Sequence, residues 1–288
     1  MAKILIVGCG AIGSELGRVL SVQGHEVTGL KRNPPESALD GIRYIAADIS
    51  SAADLAALDS DFTHAFFIVS PTGRTEPSYR AVYETGLNNL LDKLPKTWWL
   101  MVSSTSVYGQ TQGEWVDEDS SAEPTNITSR LIRQAEQRVM AANSANIVLR
   151  FSGIYGSGRE YLLRQALQTP AIQQTPPYFT NRIHQHDCVG ALAFLLERSI
   201  AGAVLDQCYI ASDDDPAPTW EVMTWLAAQL NCTPPTAKHS ADAEMNKRCR
   251  NSRLKALGYQ WQYPGYKDGY AALISTKKPL EGGFSVLQ

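Results

Sequence analysis

Ile4-Leu5-Ile6-Val7-Gly8-Cys9-Gly10-Ala11-Ile12-Gly13 is the stretch that decides the fold of this chain. Four consecutive apolar residues read as a strand buried on both faces, and the glycines after them as a tight turn into a helix. In such a turn Gly8 permits the bend, Gly10 lets backbone approach a pyrophosphate, and Gly13 lets the helix lie close to the strand. The free N–H groups of the helix start, around Ala11 and Ile12, place roughly half a positive charge where phosphates would lie. A helix over Ser14–Val22 and a strand over His25–Leu30 complete one strand–helix–strand unit. The pattern predicts a dinucleotide site; a glycine-rich turn without a ligand is the alternative.

Strand and helix signals keep alternating beyond it. Strands are expected at Ile42–Ala46, His64–Val69, Trp98–Val102 and Ile147–Phe151, with helices over Tyr79–Leu94 and Leu131–Ala142. Such alternation predicts an α/β, Rossmann-type doubly wound parallel sheet whose ligands bind beyond the carboxyl ends of the strands. Asp48 follows the third strand and is expected near an adenine; Ser70 and Pro71 follow the fourth and are expected to line the cofactor cleft. The second half is less regular. Gly153–Gly158 reads as a loop and Thr169–Pro177 as an exposed segment. Asp187 is expected to cap a helix over Val189–Arg198, and Thr219 one over Trp220–Leu230.

The end of the second strand selects between cofactors. An acidic residue there would bind the ribose 2′-hydroxyl of NAD, whereas an arginine accommodates the 2′-phosphate of NADP. The position falls at Leu30-Lys31-Arg32, which holds two cations and no carboxylate. Arg32 can hold a phosphate through two parallel hydrogen bonds. NADP is expected, with NAD as the alternative cofactor; a solvated basic turn is the plain reading of the two cations.

Composition narrows the class. The 288 residues carry 26 basic and 29 acidic side chains, a balance that suggests neither nucleic acid nor a membrane surface as partner. No apolar run approaches the roughly 20 residues of a membrane span. The first strand is interrupted by glycine at residue 8, unlike a signal peptide. Five scattered cysteines without metal spacing suit a reducing cytoplasm. The expected partner is a small-molecule substrate, with the protein a monomer or homodimer.

A set of segments in order then resembles a known family. Val102-Ser103-Ser104-Thr105-Ser106-Val107-Tyr108-Gly109 resembles the serine segment of extended short-chain dehydrogenases/reductases, which include nucleotide-sugar epimerases and dehydratases. Asp117-Glu118 before Pro124, Arg150 through Tyr155-Gly156, and Arg182-Ile183-His184-Gln185-His186-Asp187 are similar to later family segments. The resemblance covers about residues 3 to 270. It implies a cofactor domain over residues 1–155, with about 183–205 added, and a smaller, mostly C-terminal substrate portion over 156–182 and 206–288. It also implies hydride transfer, with Ser104 binding the substrate oxygen.

The family's tyrosine–lysine pair is missing. Aligning Glu136 with the glutamate that follows the family lysine puts Thr128 at the tyrosine and Ile132 at the lysine. A threonine hydroxyl is far too weak an acid to replace a tuned phenol, and isoleucine carries no charge. Tyr108 is the other candidate phenol. Arg130 and Arg133 are candidates to replace the missing charge, against the plainer reading of a solvated helix face. His184 and His186 share a strand face, but nothing completes a metal set, so no metal is expected. The chain therefore resembles the atypical extended members. Two readings follow: an NADP-dependent epimerase/dehydratase or oxidoreductase on a hydroxylated, sugar-like substrate, or a non-catalytic NADP-binding sensor or scaffold.

Overall fold

A computed structural model describes residues 1–35, 41–240 and 245–277. The chain divides into two compact units. The first comprises Met1–Gly109, Ser120–Phe151 and Cys188–Ala211; the second comprises Gln110–Asp119, Ser152–Asp187 and Ser212–Gln288.

The first unit is built on seven strands: β1 (Lys3–Val7), β2 (Glu26–Lys31), β3 (Ile42–Ala46), β4 (His64–Phe67), β5 (Trp98–Ser104), β6 (Ile147–Phe151) and β7 (Cys208–Ala211). Their spatial order is β7-β6-β5-β4-β1-β2-β3. All six pairings are parallel. The order reverses between β1 and β4, so the crevice of this doubly wound sheet opens beyond β1. Ile4, Leu5, Ile6 and Val7 are fully buried, as a strand covered on both faces requires. Helix α1 (Ala11–Val22) buries Ile12, Leu16 and Leu20. The predicted parallel sheet and the six strands expected from the sequence are present.

Several boundaries differ from the sequence reading. The expected helix Tyr79–Leu94 is a longer helical run, Glu76–Arg80, a π-helical segment Ala81–Gly86, then Leu87–Lys93. It starts early because the Thr75 hydroxyl accepts from the Ser78 N–H, and Pro77 sits in the first turn, where its missing donor costs nothing. Helix α2 (Ile127–Ala142) starts four residues before the expected Leu131, capped by the Asn126 side chain on the Ser129 N–H at 2.8 Å. Strand β4 ends at Phe67, short of Val69.

A buried ionic network ties the sheet to α2. Glu136, 0% exposed, accepts from Arg150 Nε at 2.8 Å and Nη2 at 2.7 Å. The Ser103 hydroxyl and the Arg133 guanidinium donate to the same carboxylate. Arg150 also donates to the Tyr108 hydroxyl at 2.6 Å and lies over that ring. Two charges are thus held in a low-dielectric interior only because nearly every lone pair and proton is used.

In the second unit, helices Tyr161–Ala166, Thr219–Gln229 and Tyr266–Lys277 enclose a core containing Leu163, Val222, Met223, Leu226 and Tyr270. The expected loop Gly153–Gly158 contains a strand, Gly153–Tyr155, paired in parallel with Arg182–His184. The expected exposed segment Thr169–Pro177 contains the strand Ala171–Thr175, paired with Thr236–His239. These pairings join residues far apart in sequence, which local patterns do not report. Thr219 does not cap its helix: Pro218 holds that position and the Thr219 hydroxyl has no partner. Asp187 is not a cap either. The helix Gln185–Ile200 starts before it, and its carboxylate accepts from the N–H groups of Gln262 and Tyr263 and from the Tyr259 hydroxyl.

Asp213 is buried beside Arg182, with one carboxylate oxygen unpartnered. Burial pushes its pKa up to about 8, against the pull of the Arg182 charge.

Two outcomes are expected. Glu136→Gln leaves the Arg150 charge buried without its counterion and should cost about 3–5 kcal/mol in urea denaturation. An unchanged midpoint would show the pair to be dispensable. Asp213 binds its proton more tightly folded than unfolded, so stability should fall as pH rises from about 4 to about 8, by at most about 1.4 kcal/mol per pH unit. Asp213→Asn should flatten that part of the profile; parallel profiles for the two proteins would contradict the assignment.

Candidate functional site

The glycine turn follows β1 directly. Gly8 has φ +100°, and a Cβ there would come within 2.8 Å of the Val69 backbone nitrogen. At Gly13 a Cβ would collide with the carbonyl oxygen of Gly8. Beside Gly10 there is open space instead. Gly10 is the N-cap of α1 but offers no side chain to its N–H groups, and no acidic residue stands in the first turn. The N–H groups of Ala11, Ile12 and Gly13 have no carbonyl one turn behind them, which leaves a cradle suited to an anion. Cys9 is held away from that cradle. Its Sγ donates to the Ile6 carbonyl, and burial pushes its pKa up to about 11.

The loops after β2, β3 and β4 supply the other expected residues. Lys31 Nζ donates to the Cys9 carbonyl at 3.3 Å. Arg32 Nη2 donates to the Thr72 hydroxyl at 2.7 Å, which joins the exits of β2 and β4 on either side of β1. Thr72 lies beyond Ser70 and Pro71 and was not legible as a site residue, because its partner is forty positions away. Asp48 accepts from the Ser50 N–H and hydroxyl; these bonds, with a smaller pull from Arg32, hold its carboxyl below the usual range.

At the end of β5, Ser104 Oγ accepts from the Ser106 N–H at 3.1 Å, which closes the turn Thr105–Val107. Among the described residues the Ser104 hydroxyl donates to no acceptor. The Ser106 hydroxyl in turn receives the Ser129 hydroxyl of α2 at 3.1 Å. Ser106 and Ser129 carry no signal of their own in the sequence; the fold makes them a hydroxyl row. Thr128 is turned to the Asn126 side chain at 2.8 Å, and Ile132 is buried. Arg133 is engaged by Glu136, and Arg130 is exposed. Tyr108 is wholly buried with its oxygen on Arg150, so its phenol faces the core.

In the second unit, His184 packs against Tyr263, His186 and Tyr155, with ring centroids 4.0, 4.7 and 5.2 Å away. Its Nδ1 accepts from the His186 N–H. Burial, helped by His186, lowers its pKa to about 4, so the imidazole is neutral at pH 7. The two histidines serve packing, and among the described residues no group of three or more His, Cys, Asp or Glu side chains is placed to hold a metal ion. No helix there is long and apolar enough to cross a membrane.

Known proteins are similar to this chain along most of its length. The sequence profile of the NAD dependent epimerase/dehydratase family matches residues 4–198. A solved structure from Methylobacillus flagellatus, assigned as an NAD-dependent epimerase/dehydratase, is 37% identical, covers 96% of this chain and 98% of its own, and superposes with a TM-score of 0.81. Protein YeeZ of Escherichia coli K12 is 29% identical over 92% of this chain and 97% of its own. A 3-diazoavenalumate denitrifying reductase of Streptomyces is 25% identical over 93% of this chain and 98% of its own. With the glycine turn, the strand order and the serine segment in place, this chain belongs to the NAD dependent epimerase/dehydratase family.

Proposed function

We propose that the protein is an NADP-dependent oxidoreductase of the epimerase/dehydratase type, acting on a hydroxylated, sugar-like substrate through a non-standard site. The observation that carries this reading is the cradle after β1, with the cations Lys31 and Arg32, and no acidic residue, at the end of β2. Gly8, Gly10, Ala11, Ile12 and Gly13 hold the pyrophosphate, Lys31 and Arg32 the 2′-phosphate, and Asp48, Ser70 and Pro71 line the rest. The nicotinamide, when bound, supplies or accepts a hydride. Ser104 donates a hydrogen bond to the substrate oxygen and polarises it. The Ser106 N–H on its oxygen keeps Ser104 oriented, since the Ser106 hydroxyl ties the turn to Ser129. Tyr108 has a different part, as a packing partner of Arg150. Five cysteines outside any disulfide accord with work in the cytoplasm, a reducing compartment.

Thr128 and Ile132 support a second reading, a cofactor-binding sensor without turnover, because neither residue supplies the phenol or the charge that the family chemistry uses. The two readings part on one measurement. Purified protein is incubated with NADPH and a panel of carbonyl compounds, with the nicotinamide absorbance followed, and with NADP and a panel of nucleotide sugars, with the sugar products followed by chromatography, because epimerisation and dehydration return the hydride to the substrate and leave no net absorbance change. The enzyme reading expects steady turnover of at least one compound, lowered about 10–100-fold by Ser104→Ala; tight cofactor binding with no turnover at all favours the sensor.

Calorimetry tests the cofactor. Arg32→Ala should weaken NADP by at least about tenfold, the loss of about 1.4 kcal/mol that one charge-assisted contact supplies, and leave NAD within about twofold. Tighter binding of NAD than NADP by the wild-type protein would overturn the NADP assignment.

A further inference from the structure

Arg32 is exposed just past the end of β2. A long exposed side chain has many rotamers to lose when it grips a ligand. This one is already held, because its Nη2 donates to the Thr72 hydroxyl at 2.7 Å. Thr72 lies in the loop after β4, and β1 stands between β2 and β4 in the sheet. The bond therefore reaches across the strand that ends in the glycine turn.

The loop that carries Thr72 is pinned at both ends. At its start the Val69 main chain lies against Gly8, and the Ile68 N–H donates to the Val7 carbonyl at 2.8 Å. At its end the Thr75 carbonyl accepts from the Ser78 hydroxyl at 2.8 Å and from the Tyr79 N–H at 3.2 Å. Thr72 sits midway between Val69 and Thr75, so a short, anchored piece of chain presents its hydroxyl.

A hydroxyl suits this task better than a carboxylate. It orients a guanidinium without neutralising it, whereas a carboxylate would cancel the charge that a phosphate needs. Among the described residues Arg32 forms no ion pair; Asp48 feels its charge but turns Oδ1 to the Ser50 N–H and hydroxyl. The donor count fits as well. Nη2 carries two protons, one beside the Nε–H and one beside an Nη1–H. Whichever of them Thr72 takes, one complete two-pronged edge is left for a pair of phosphate oxygens.

We propose that Thr72 is a positioning residue for cofactor choice: it holds Arg32 ready for the 2′-phosphate of NADP, so part of the preference for NADP over NAD resides in the loop after β4. This deepens the NADP reading and rests on it. NAD offers Arg32 no phosphate at that position, so its binding is indifferent to Thr72.

The test is calorimetry of NADP and NAD with the full-length protein and the variants Thr72→Val, Thr72→Ser, Arg32→Ala and Arg32→Ala/Thr72→Val. Thr72→Val should weaken NADP about three- to tenfold, the factor that ordering one long side chain carries, and leave NAD within about twofold. Thr72→Ser, which keeps the hydroxyl, should restore NADP affinity. The melting temperature should not move, because both residues are exposed. In the Arg32→Ala background Thr72→Val should have no further effect, since the two residues act as one unit. Unchanged NADP affinity in Thr72→Val, an equal loss for NADP and NAD, or a loss that persists without Arg32 would each overturn the proposal. Arg32→Ala keeps the failures apart. If it weakens NADP while Thr72→Val does not, the role of Thr72 alone falls; if it leaves NADP unchanged, the grip on the 2′-phosphate falls and the role of Thr72 with it.

Discussion

The pair formed by Glu136 and Arg150 organises the first unit. One carboxylate gathers β5 through Ser103, β6 through Arg150, and α2 through its own backbone. Arg150 then carries the constraint on to Tyr108, four residues past the end of β5. A buried pair adds little net stability over a well-packed apolar core, but it tolerates only one geometry. That intolerance is its use here. The turn with Ser104 lies between Ser103 and Tyr108, so both of its ends are fixed by charge-assisted hydrogen bonds while Ser104 itself stays half-buried at the strand's exit.

The same logic divides the glycine turn from the chemistry beyond β5. The turn is a backbone device: Gly8 and Gly13 are required by contacts with the Val69 and Gly8 main chain. Binding by backbone N–H groups survives many changes of side chain. Catalysis by the family's tyrosine and lysine depends on two side chains, and at their positions this chain has a hydroxyl bonded to Asn126 and a buried isoleucine. The glycine turn, a backbone device, is therefore separable from those two side-chain positions in this fold.

What was legible in the sequence follows from range. Ile4–Val7 and the other apolar runs announce a covered sheet because both faces of each strand need the same chemistry. The glycine turn is legible because its requirements fall within six residues. The start of α2 was missed although Asn126 is a favourable cap, since the apolar periodicity begins only at Leu131. The strand Ala171–Thr175 was missed because its partner lies beyond residue 235 and four of its five residues are not buried. Asp187 looked like a helix cap and is instead a staple for the chain at Gln262 and Tyr263. The bond between the Ser106 and Ser129 hydroxyls joins two segments that only the fold brings together.

Cys9 sits in the middle of the glycine turn, where a reactive sulfur would be a liability. Its thiol is tied to the Ile6 carbonyl and holds its proton well above neutral pH. Peroxides and disulfides are attacked by thiolate, so a sulfur kept protonated and out of solvent reacts slowly with either. The half-buried Cys208 and Cys232 meet such reagents more readily than the buried sulfur of the glycine turn.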